Sequence, residues 1–130
     1  MKLYRAAQGP QATRGAHFCA DLEVARVYLS GDRQLFVYEL ETERRLDARG
    51  GLKPVALALE VIQSRPAWQI EEEWWSLKLK SAFDLLETQP GVCELLAGHF
   101  DWVCYDEDYP PGAEGWLYLG GIPLVGMSLS

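Results

Sequence analysis

Turn-forming residues cut this chain so often that no helix or strand can run long. Breakers stand at Gln8-Gly9-Pro10, Arg14-Gly15, Ser30-Gly31-Asp32, Gly50-Gly51, Pro66, Pro90-Gly91 and Gly98. Each interrupts regular structure, through glycine's wide φ range or proline's missing N–H. The pieces between them are read from their period. Lys2-Leu3-Tyr4-Arg5 and Ala16-His17-Phe18-Cys19 are too short for amphipathic helices and predict strands, with Arg5 at a strand's end. Asp21 is placed to cap a helix over residues 22–29, where Leu22, Ala25, Tyr28 and Leu29 recur at helical spacing. Residues 34–40 predict a strand with Leu35 and Val37 on one side and Phe36, Tyr38 and Leu40 on the other. A short strand is expected at Arg45-Leu46-Asp47 inside a charged loop.

The middle of the chain reads as helical. Pro54 opens residues 55–62, which fit a helix beginning at proline or a buried strand, with the alanine content favouring the helix; residues 68–86 supply one or two helices, and Val92 starts another that ends at Gly98. Of the adjacent pair Trp74 and Trp75, one is expected in the core. Residues 100–105 and 116–119 are strand-like, with an acidic loop between them. The order strand, strand, helix, strand, helices, strand, strand makes an α+β domain, and 130 residues without repeat or linker make it a single one.

Charge and cysteine usage exclude several function classes. With 12 Lys+Arg against 19 Asp+Glu, the net charge of -7 argues against binding nucleic acid or anionic membrane through bulk charge, while leaving a phosphate-bearing small molecule open to a few local arginines. Cys19, Cys93 and Cys104 are widely spaced with no CxxC, which points to a reducing cytosol and, with two histidines, to no zinc set. The N-terminal residues lack the apolar core of a signal peptide, and no run reaches the roughly 18 apolar residues of a membrane span. Neither GxxxxGKS/T nor GxGxxG occurs. Asp106-Glu107-Asp108 beside Tyr105 and Tyr109 has the residue types of a general base or a hard-cation site, or of a solvated loop.

Gly15 precedes a strand ending in Phe18, Ala20-Asp21 follows, and the next helix delivers Tyr28 ten positions after the phenylalanine. This pattern resembles the ADP-ribosyltransferase superfamily, in its poly(ADP-ribose) polymerase and diphtheria-toxin-like branch. Phe100-Asp101-Trp102-Val103 is similar to the strand that precedes the acidic position in many small transferases of that kind. The resemblance covers the two ends of the chain, about half of it, whereas residues 44–98 carry no such motif. Size, negative charge and the acidic triplet followed by Gly and Trp-Leu-x-Leu also look like a phage-encoded anti-CRISPR ADP-ribosyltransferase acting on a CRISPR complex.

The resemblance implies a split β-sheet core, a helical insert over about residues 54–98 for target recognition, and NAD as substrate. Arg5 stands where one branch has His and another Arg, on ribose or phosphate. Tyr28 takes the place of the tyrosine that stacks on nicotinamide, with Phe18 as a further ring and His17 as a nucleotide contact. Cys19 departs from the Ser or Thr of the cholera-toxin-like branch. The acidic position is open among Asp106, Glu107, Asp108 and Glu114, with Glu107 preferred because it closely follows a strand and outreaches the aspartates. The expected activity is mono-ADP-ribosylation of a macromolecular acceptor, a protein first of all, in the cytoplasm. The rival readings are a non-catalytic inhibitor or adaptor on the same fold and an NAD glycohydrolase toxin.

Overall fold

The computed structural model describes residues 1–107 and 112–129. Its strands are β1 Lys2–Ala7, β2 Gln11–Ala12, β3 His17–Cys19, β4 Gln34–Glu39, β5 Arg45–Asp47, β6 Trp102–Asp106, β7 Glu114–Tyr118, β8 Leu124–Val125 and β9 Met127–Ser128. The helices are α1 Leu22–Arg26, α2 Lys53–Gln63, α3 Ala67–Ser76, α4 Ala82–Thr88 and α5 Pro90–Ala97. Seven strands form one mixed sheet in the order β5-β6-β7-β3-β1-β4-β9, antiparallel except for the parallel pair β5–β6, while β2 and β8 pair in a separate ribbon. The molecule is an α+β fold. Among the described residues no helix is long and apolar enough to cross a membrane.

Strand alternation sends most of the sheet's buried side chains to two clusters, while Cys19 of β3 packs with Val24 and Ala25 in a smaller third one. Val103, Tyr105 and Leu117 face the helices and join Val55, Leu59, Ile70, Trp74, Leu85 and Leu96 in the larger one. Phe18, Phe36, Tyr38, Trp102, Trp116 and Tyr118 point the other way into an aromatic cluster. Residues 102–105 are therefore buried without a break, because both faces of β6 are covered. The helices of residues 53–97 form the core's second layer, whatever else their outer surfaces do.

Several local expectations hold and others shift. The Asp21 carboxylate accepts from the Glu23 N–H at 2.8 Å and caps α1. That helix ends at Arg26 rather than at 29: the N–H groups of Val27, Tyr28 and Leu29 each turn to the carbonyl three residues back, and Gly31 then takes a left-handed φ of 61°. Tyr28 consequently sits on a tight turn, 42% exposed, instead of on a helix face. Helix α5 starts at Pro90, whose fixed φ suits a first turn, two residues before the expected Val92. Trp74 is buried and Trp75 exposed. The two-residue strands β2, β8 and β9 went unforeseen, being too short to show a period.

Leu85 is fully buried in the helix-side cluster, whereas Val61 is 81% exposed. Leu85→Ala should cost about 2–5 kcal/mol in urea unfolding, and Val61→Ala no more than about 0.5 kcal/mol.

Candidate functional site

On the helix side of the sheet, beside the larger core cluster, lies a cavity of about 840 Å³. Its size falls in the roughly 300–1,000 Å³ range of small-molecule sites. Tyr4 and Ala6 of β1, His17 and Cys19 of β3 and Tyr105 of β6 line it from the sheet. The register Tyr4↔Cys19, with Cys19 and Tyr105 both opposite Gly115, puts them on one face. Phe83 and Glu87 of α4 form one wall, and Tyr28, Arg33 and Glu107 contribute from the turns after α1 and β6.

Two linked contacts organise the interior. His17 Nδ1 lies 2.7 Å from the Tyr105 hydroxyl, and His17 Nε2 lies 3.8 Å from Glu87 Oε1. Phe83 and Tyr105 enclose the imidazole with ring centroids at 5.7 and 5.8 Å. Burial lowers the His17 pKa, with Glu87 opposing and Arg5 reinforcing the shift, so the ring is neutral at pH 7. The phenol can donate to Nδ1 or accept from it, and at 3.8 Å Nε2 and Glu87 are in electrostatic reach without a hydrogen bond. On the other side, the Tyr28 hydroxyl donates to Glu107 Oε2 over a long 3.4 Å. The Glu107 N–H bonds the Ala113 carbonyl at 2.9 Å, continuing the β6–β7 ladder.

The four acidic candidates separate. Glu107 lines the cavity. Asp106 accepts from the Gly50 N–H at 2.8 Å, and Glu114 accepts from Arg49 at 3.1 Å and from the Trp116 indole at 2.8 Å, so both brace the loop after β5. Asp108 lies outside the described residues. Phe18 does not reach the cavity: it is 1% exposed on the opposite face, edge-on to Tyr38 and Trp102. Arg5 lines the cavity, yet the pleat puts its side chain opposite Tyr4 and Ala6, and its guanidinium lies where it partly offsets the burial that raises the Tyr38 phenol. Arg14 is engaged elsewhere, donating to the Leu119 carbonyl at 2.9 Å.

Sequence reasoning passed over Arg33, Phe83, Glu87 and Tyr105. Phe83 and Glu87 stand at i,i+4 spacing, so one helix face carries both. Tyr105 could have been flagged as a phenol in an otherwise apolar strand, since a buried hydroxyl needs a partner. The cysteines offer no nucleophile: burial first, then the carboxylates of Glu107 and Asp21, pushes Cys19 up to about 12, and burial with Asp47 pushes Cys104 to about 11. Among the described residues no group of three or more His, Cys, Asp or Glu is placed to hold a metal ion. Compared with known proteins, the chain matches no family model, no curated protein and no solved structure.

Gly115 makes the arrangement possible. A Cβ there would fall 2.6 Å from the Tyr105 ring and 2.7 Å from Glu107 Oε1, so both side chains occupy space that only glycine leaves. Gly115→Ala should cost about 1–3 kcal/mol in thermal or urea unfolding. Gly121→Ala, whose added carbon meets only ordinary contact with Arg14, should be close to neutral.

Proposed function

We propose that this chain is an NAD-dependent mono-ADP-ribosyltransferase. The observation that carries the reading is that Tyr28 and Glu107, singled out by the resemblance from opposite ends of the sequence, meet in one cavity with His17. Cleaving the bond between nicotinamide and ribose builds positive charge on the ribose. A fixed carboxylate stabilises that charge more than it stabilises the intact substrate, which lowers the barrier. Glu107 takes this part, held by backbone pairing and packed beside Tyr105 over Gly115.

Binding falls to the remaining lining groups. Tyr28, on its exposed turn, offers a ring for nicotinamide to stack on, worth about 1 kcal/mol. Arg33 supplies a forked donor for the pyrophosphate, in a role first assigned to Arg5. The acceptor is a macromolecule, a protein in the first instance, in the cytoplasm.

Incubation with NAD, biotin-NAD and a cell lysate as the source of acceptors, reading nicotinamide release and label transfer, tests the proposal. Glu107→Gln should leave NAD affinity nearly intact in calorimetry and lower turnover by about a hundredfold or more. Asp106→Asn and Glu114→Gln should cost turnover far less. Tyr28→Ala should weaken NAD binding by roughly fivefold, and Tyr28→Phe should keep most of it. Full turnover by Glu107→Gln would remove the carboxylate from the reaction. Nicotinamide release without any labelled acceptor would make the protein a glycohydrolase, and absence of NAD binding would leave the adaptor reading.

A further inference from the structure

The cavity contains a second carboxylate for which the reaction above has no use. Leu85 and Leu86 anchor α4 in the core, and Phe83 and Glu87 line the cavity from the same helix. The Glu87 side chain is half exposed, within reach of both the cavity and solvent. His17 Nε2 lies 3.8 Å from it, and the other ring nitrogen meets the Tyr105 hydroxyl at 2.7 Å. The imidazole is thus tied to the phenol, and Glu87 is the carboxylate beside it with a path to solvent.

Transfer of ADP-ribose needs more than stabilisation of the ribose cation. When the C1′–N bond breaks, neutral nicotinamide leaves with the bonding pair on its ring nitrogen. A lone pair of the acceptor X–H then forms the C1′–X bond, and the proton on X must go to a base. Where two carboxylates serve one glycosidic centre, one can support the cation while the other activates the nucleophile. We propose that Glu87 is this base. It takes the acceptor proton and passes it to solvent, a role that rests on the transferase reading of the cavity. His17 and Tyr105 act as positioning residues through it.

Azide separates base catalysis from cation stabilisation, because it attacks as an anion with no proton to lose. In Glu87→Gln, nicotinamide release to water should fall by about a hundredfold. Sodium azide should bring it back to within about tenfold of the unmodified protein, with ADP-ribosyl azide detected by mass spectrometry. Glu87→Ala, which leaves more room, should be rescued at least as well, whereas Glu107→Gln should stay slow with azide. Unimpaired release by Glu87→Gln and Glu87→Ala without azide would overturn the proposal. So would failure of azide to accelerate either variant while the unmodified protein turns over. If the unmodified protein releases no nicotinamide to water, to azide or to a cell lysate supplying acceptors, the transferase reading falls and takes this role with it.

Discussion

The packing of Tyr105 over Gly115 joins the core to the cavity. The ring fills the place of the missing Cβ at 2.6 Å, belongs to the helix-side cluster, and meets Phe83 at 5.5 Å. Its hydroxyl emerges from that apolar packing to reach His17 at 2.7 Å. Burial, with Glu107, Cys19, Tyr28 and Glu87 adding to it, raises the phenol pKa, so the hydroxyl stays a donor at any physiological pH. With Nδ1 tied to that hydroxyl, the Nε2 edge of the ring is the one that faces Glu87, at 3.8 Å. One strand residue therefore transmits the rigidity of the sheet to side chains on α4, which no local rule connects to it.

Two carboxylates in a cavity of a chain with net charge -7 raise the question of what keeps them compatible. The answer is spatial and chemical. Glu107 shares a hydrogen bond with Tyr28, while Glu87 is half exposed and faces His17 Nε2 at 3.8 Å, so solvent and separate neighbours screen the two charges. Tyr105 stands between these two arrangements, with its ring against Glu107 and its hydroxyl bound to the histidine that Glu87 faces. Arg33 adds a local cation near Tyr28, donating to its carbonyl at 3.5 Å. Screening confines the field of the bulk charge to about a Debye length, so a local cation can still hold a small anion.

The parts of the fold that were legible in the sequence are those fixed by neighbours in the chain. Asp21 caps a helix because its carboxylate meets an N–H two residues away, and β6 reads as a strand from its own composition. What failed was parity. His17 and Phe18 were both assigned to the nucleotide, yet adjacent residues of a strand point to opposite faces, so the cavity could take only one of them. Tyr4 and Arg5 pose the same choice, and the pleat turns Tyr4 towards the cavity. Which face was which depended on the helices of residues 53–97 covering one side, and nothing within β1 or β3 encodes that. Glu87 and Arg33 were invisible for the related reason that tertiary packing alone brings α4 and the turn after α1 to β3.

The acidic stretch shows the same parity deciding chemistry. Asp106 pairs with Glu114 in the β6–β7 register, and both carboxylates are drawn to the loop after β5, where Gly50 and Arg49 donate to them. Glu107 is one residue further and so faces the other way, over Gly115. Because its N–H still bonds to Ala113, this residue is held as an extension of the strand pair and not as part of a free loop. A carboxylate that must oppose charge only as a bond breaks gains from such fixing, since its position is set before the reaction begins and costs nothing to reach during it.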